Sequence, residues 1–207
     1  MASMKETITQ VAIDLFFRKG YFATSISDIA RGCGIQKASI YYHFPSKEAL
    51  LFSIMQSTMQ DLLGSLEQRL DDSNDSESRM RAAIRSHVCF HLNRQKETFI
   101  ASSELRGLSE EHLAAIVAQR DAYERIFQDL IRQGVEQGIY ATGEVKILSY
   151  AILTLCTAGA FWFRPDGRLC AEAIATIYEN FVLNGLMGAR APDAFDSGPA
   201  RCNVSRA

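Results

Sequence analysis

The chain of 207 residues is poor in the features that mark most catalytic classes. It has no glycine-rich phosphate loop, no nucleophile elbow and no metal-ligand motif, so nothing points to an enzyme or to a cofactor. Its five cysteines, at 33, 89, 156, 170 and 202, include no closely spaced pair of the kind zinc or redox sites use. An odd, scattered set argues against a disulfide framework and fits small core residues in a reducing cytoplasm. Met1–Gln10 is polar, so no signal peptide is expected. No apolar run reaches the ~18 residues of a membrane helix. The stretch 149–163 is apolar on most sides, but it is short and ends in Arg164-Pro165-Asp166-Gly167, which suits a buried helix or a dimer interface. Strong charge of either sign is also missing, because the net charge is only −2. That balance is uneven. Residues 1–50 carry six Lys/Arg against four acids, which favours an anionic partner at the N-terminal end.

What the chain does have is helical period. Ile8, Val11, Ala12, Leu15 and Phe16 form one apolar face, with Arg18 and Lys19 at the dipole end and Gly20 as the stop. Ser25 and Asp28 have capping-box spacing, and Ile26, Ile29, Ala30 and Cys33 continue a second helix until Gly34. A third runs from about Lys37 to His43 and is ended by Pro45. Ser46 can cap a fourth, long helix over 47–70. The polar stretch 71–76 reads as a loop. Further helices are expected near 77–94, 96–106, 109–137, 144–163 and 170–188. Residues 190–207 shift to Ala, Pro, Ser, Gly and Asp, the composition of a disordered tail. The predicted fold is all-α: a three-helix segment over 1–46, a larger helical domain over 47–189, and the tail.

Two short helices joined by a turn at Gly34 define a helix-turn-helix. Ala30 is small where they cross, and Gly34 supplies the left-handed turn residue. The second helix presents Gln36, Lys37, Ser39, Tyr41, Tyr42 and His43 outward. Such a helix enters the major groove, where Gln and Lys read base edges and hydroxyl and imidazole groups meet phosphates. Thr24, Ser25 and Ser27 lie at the N-terminus of the preceding helix, which also favours a phosphate. Lys47 is placed to reach the same backbone. Phe44 and part of Tyr41 also suit a core role.

These residues resemble the TetR family of regulators. The run Ala12–Phe16 with Gly20-Tyr21-Phe22, then Thr24–Ala30, then Gly34–Leu51 follow the family pattern in order. Ala38 stands where many relatives have Gly. The resemblance implies a DNA-binding head, a helical ligand domain, and a homodimer formed by the last two long helices. It also implies a repressor released from a palindromic operator when a small molecule moves the fourth helix. An activator, or an architectural DNA-binding dimer without a ligand, is the alternative.

Two C-terminal stretches, Glu104-Leu105-Arg106 with Arg120–Phe127 and Ala160–Gly167, look like the subgroup that responds to acyl-coenzyme A thioesters. Arg120, Tyr123 and Phe127 share one helix face. Phe90, Phe99, Trp162 and Phe163 supply aromatic material for an apolar cavity. Arg94, Lys96, Arg106 and Arg120 are the candidate cations for coenzyme phosphates. His87 and His91, four residues apart, can share a metal or line a pocket, but no third ligand has clear spacing.

Overall fold

The computed structural model describes residues 3–71 and 75–188. Among these it contains nine α-helices, two 3-10 turns and no strand. No described helix is long and apolar enough to cross a membrane. The expected tail, Cys202 and the middle of the acidic loop lie outside the described residues.

Helix α1 (Met4–Lys19) starts on a capping box between Ser3 and Glu6 and ends at Gly20, whose φ is 82°. Helix α2 (Ile26–Cys33) starts on the Ser25–Asp28 box and stops at Gly34 in the left-handed conformation, φ 68° and ψ 27°. Helix α3 (Lys37–His43) ends at Phe44, which is extended (φ −138°, ψ 117°) as the residue before a proline prefers. Helix α4 (Lys47–Asp71) follows, with the Ser46 hydroxyl accepting the Ala49 N–H at 2.9 Å. Then come α5 (Ser76–Asn93), α6 (Gln95–Ser103), α7 (Glu110–Glu136), α8 (Val145–Ala158) and α9 (Ala171–Met187).

Two helices are shorter than their periodicity suggests. The segment expected over 96–106 leaves the α form at Glu104 and makes a 3-10 turn over Leu105–Gly107. Tertiary contacts hold this turn. The Glu104 carboxylate accepts the Tyr21 N–H at 3.2 Å. A Cβ on Gly107 would lie 2.7 Å from the Tyr21 ring, so only glycine lets the turn sit there. The segment expected over 144–163 leaves the α form after Ala158 for a 3-10 turn over Gly159–Phe161. There the Gln95 amide donates to the carbonyls of Ala160 (2.6 Å) and Phe163 (2.9 Å).

Apolar burial forms two clusters. One gathers Ile8, Phe16, Ile29, Ile40 and Phe44 of the N-terminal helices. It continues through Leu50, Leu51, Ile54 and Met55 of α4 to Ile100 of α6 and Ile116 of α7. The other joins α4, α5, α7, α8 and α9 around Met80, Ile84, Phe127 and Leu183. Helix α4 belongs to both. A shift of its axis is therefore felt in both, since close-packed interiors transmit strain.

Candidate nucleic-acid interface and internal cavity

The α2–α3 unit shows one face to solvent. Ile26, Ile29, Ala30 and Ile40 are buried against α1 and α4. Ser25, Ser27, Gln36, Lys37, Ser39, Tyr41 and Tyr42 are exposed and His43 is partly so, with Tyr42 87% accessible. Tyr41 and Tyr42 thus lie exposed beside a lysine, an amide and serine hydroxyl groups, side chains that can meet bases and phosphates. The Tyr42 and His43 rings meet edge to face at 5.1 Å, and Lys37 lies 5.8 Å from the Tyr41 ring.

Two residues expected at this interface are turned inward. Thr24 is buried. Its hydroxyl donates to the Gly20 carbonyl at 2.9 Å, so it braces the α1–α2 corner and is not free for a phosphate. Lys47 donates to the carbonyls of Tyr21 (3.0 Å) and Thr24 (2.8 Å), and its ammonium lies 4.2 Å from the Tyr21 ring centre. Burial lowers its pKa, an effect that the nearby Glu104 opposes. Lys47 therefore ties α4 to the corner that aims α2. Phe44 is core.

The larger domain holds a cavity of about 410 Å³ between α4, α5, α6, α7 and α8. Its wall includes Thr58, Met59 and Leu62 of α4, His87 and His91 of α5, and Thr98, Ala101 and Ser102 of α6. Arg120, Tyr123 and Glu124 of α7 and Tyr150, Leu153, Thr154, Thr157 and Ala158 of α8 complete it with Phe161. Of the ligand residues expected from sequence, Arg120 and Tyr123 are on this wall. Phe127 is one turn deeper, fully buried in the core. Phe90 packs beside that core under the Arg94 guanidinium. Phe99 stacks edge to face on Phe17 of α1, Trp162 is exposed, and Arg106 is exposed on the 3-10 turn. Arg94 pairs with Asp61 and Glu97, and Lys96 with Asp14, so these two cations already have partners.

The two α5 histidines are wired into the wall. His87 is hydrogen-bonded with the Tyr123 hydroxyl (3.0 Å) and the Thr157 hydroxyl (2.9 Å). His91 is hydrogen-bonded with Thr98 (2.9 Å). Burial pushes the His87 imidazole well below its ordinary pKa, and His91 adds to the effect. Burial, helped by the Arg120 charge, lowers His91 to about 4. Both rings are neutral at pH 7. Among the described residues no three His, Cys, Asp or Glu side chains are grouped to hold a metal ion. The α4 and α8 wall residues carried no local sequence signal, because only packing brings those helices over α7.

A helix-turn-helix with an exposed polar reading face, joined through one long helix to a helical domain with an internal cavity, defines a ligand-binding transcription regulator. Residues 8–54 match the family described as bacterial regulatory proteins, tetR family, and residues 73–186 match the tetracyclin repressor-like C-terminal domain. The chain belongs to the TetR family, whose members are DNA-binding regulators rather than enzymes. It is similar to the HTH-type transcriptional repressor KstR2 of Mycolicibacterium smegmatis, with 26% identity over 187 residues, 89% of this chain and 91% of that protein. The HTH-type transcriptional activator FasR of the same species is 32% identical over 178 residues, 84% of this chain and 79% of that one. Among solved structures, AibR in complex with isovaleryl coenzyme A and operator DNA superposes with a TM-score of 0.78 at 27% identity, covering 89% of this chain and 98% of that one.

Proposed function

We propose that this protein is a homodimeric repressor that leaves a palindromic operator when the acyl part of a coenzyme A thioester fills the cavity beneath α4. One observation carries the reading: Thr58, Met59 and Leu62 of the cavity wall share a helix with Leu50, Leu51, Ile54 and Met55 of the head's core. Twelve residues, about 18 Å of helix, separate Met59 from Lys47. A ligand that displaces Met59 tilts a lever whose far end holds α2 in place. Two heads reading half-sites about 34 Å apart lose register when their separation changes by a few ångströms.

The thioester is favoured by the largely apolar wall of the cavity and by the ligand of AibR. The repressor sign is favoured by KstR2, and FasR is the reason to test it. Ile147 of α8 and Ile177 and Phe181 of α9 are more than half exposed, which suits burial against a second copy. The DNA contacts proposed are Ser25, Ser27, Gln36, Lys37, Ser39, Tyr41, Tyr42 and His43.

The test has two stages. Purified protein is incubated with sheared genomic DNA, and the bound fragments are sequenced. Enrichment of one inverted repeat supports the regulator reading, and no enrichment with a folded dimer refutes it. Acyl-coenzyme A thioesters are then titrated against the recovered operator. Release without hydrolysis of the thioester is expected. Ala158→Trp, which fills the cavity from α8, should abolish release and spare operator binding. Reporter expression in the presence and absence of the protein settles the sign.

A further inference from the structure

Arg120 is a cation with too few partners. A guanidinium has five N–H donors. Here one bond is made, from Nη2 to the Ala101 carbonyl at 2.6 Å. Among the described residues no carboxylate oxygen lies within 4.0 Å of it, although Arg81, Arg85, Arg94 and Lys96 all have acid partners. Glu124, one turn further along α7, is already engaged. Its Oε1 accepts from the Gln128 amide (2.6 Å) and the Ser149 hydroxyl (3.0 Å). His91, the other ionisable neighbour, is neutral. Arg120 thus faces, with no ion-pair partner among the described residues, a cavity whose wall combines Met59, Leu62, Leu153 and Phe161 with the hydroxyl groups of Thr58, Thr98 and Tyr123 and the Glu124 carboxylate. A partly buried cation in that position can gain a charge-assisted pair from an anionic ligand.

The size of the cavity limits what can reach Arg120. Its volume, about 410 Å³, is near the lower end of the range for small-molecule sites. That space takes a compact acyl body and leaves the coenzyme nucleotide, with its phosphates, outside. We infer that the effector carries a carboxylate on its acyl body, seated on Arg120 inside the cavity. The inference rests on the cavity being the effector site, as proposed above. The ligand class is then an ω-carboxyacyl thioester or the corresponding free dicarboxylic acid, which share this end group.

The acid end also reaches the helix that touches the head. Ala101 lies in the last turn of α6, and α6 meets α1 through Phe99 on Phe17 and Lys96 on Asp14. A carboxylate that pairs with Arg120 re-aims the guanidinium that holds the Ala101 carbonyl and so shifts that end of α6. A neutral acyl chain of the same length fills the cavity without doing so.

The experiment titrates the full chain on its operator by fluorescence anisotropy. Succinyl-, adipoyl- and suberoyl-coenzyme A are compared with butanoyl-, hexanoyl- and octanoyl-coenzyme A, with the ω-methyl esters of the acids, and with the free dicarboxylic acids. At one of these lengths the acid should release operator at a concentration about tenfold or more below its neutral and ester counterparts. Arg120→Gln should abolish that advantage, and Arg120→Lys should retain part of it. The acid-to-ester ratio in the unmodified protein stands as a test even if Arg120→Gln fails to fold. Equal potency of acid, ester and neutral chain overturns the inference and leaves the thioester reading intact. An acid advantage that survives Arg120→Gln also overturns it. Free acids acting alone would keep the carboxylate and replace the thioester as its source. Failure of every probe would overturn both.

Discussion

Lys47→Met separates a phosphate contact from an internal brace. The substitution keeps the length of the side chain and removes the ammonium. Two bonds are lost, to the carbonyls of Tyr21 and Thr24, together with the contact over the Tyr21 ring. Hydrogen bonds from a charged donor are worth about 1.5–3 kcal/mol each in buried settings. Lys47 is only partly buried, so the pair together is worth about 2 kcal/mol after allowing for solvent. For a chain of this size that is a fall in melting temperature of roughly 4–8 °C. Operator affinity should also fall, because the corner that aims α2 loosens. The slope of log affinity against log salt should stay the same. A phosphate contact behaves in the opposite way: its loss lowers the slope by about 0.9 per subunit and leaves the melting temperature alone. Calorimetry on the free protein and anisotropy at a series of salt concentrations give both numbers. A lower slope with an unchanged melting temperature would refute the brace.

Three further outcomes follow from the geometry. Tyr42→Phe and Lys37→Ala, both at exposed positions, should weaken operator binding without a change in melting temperature, and Lys37→Ala should also alter base preference in a selection from random operators. Stability should depend on His91 below neutrality. The unfolded imidazole takes its proton near 6.5 and the folded one near 4, so the unfolded state holds more protons between those values. Its contribution is full above pH 6.5 and falls by about 3 kcal/mol as pH drops to 4. His91→Gln should flatten that part of the melting-temperature profile, and an unchanged profile would contradict a buried neutral ring. Gly134→Ala should cost about 2–3 kcal/mol in denaturant unfolding. Its Cβ would lie 2.0 Å from the Tyr140 ring, which is buried and held by a bond from its hydroxyl to the Ser76 carbonyl.

The parts of the fold that the sequence announces are those fixed by local chemistry. Ser25 and Asp28 form the expected capping box, Gly34 takes the left-handed turn, and Pro45 forces Phe44 out of the helix. Local chemistry does not say which of several neighbouring hydroxyl groups points inward. Thr24, Ser25 and Ser27 look alike in sequence, yet only Thr24 is buried, because the corner after Gly20 leaves a carbonyl that needs a donor. Lys47 is likewise a surface cation by type and an internal tie by position. In the cavity, Arg120 and Tyr123 could be read from their shared face on α7. Thr58 and Met59 could not, because their place on the wall depends on how α4 crosses α7 in three dimensions. Phe99 and Trp162 have the composition of a pocket lining, but Phe99 packs between Phe17 of α1 and the wall residue Phe161, and Trp162 is exposed.

The core of the DNA-reading head has a consequence for how the protein is made. Its apolar cluster is closed by Ile100 and Ile116, and the Tyr21 N–H finds its acceptor at Glu104. At synthesis rates of about 5–20 residues per second, the head's own helices leave the ribosome several seconds before those partners. The head is finished only as the sensing domain takes shape around it. A nascent or truncated chain therefore lacks part of the packing that holds the head together, and the DNA-binding and ligand-binding parts of the molecule are completed as one.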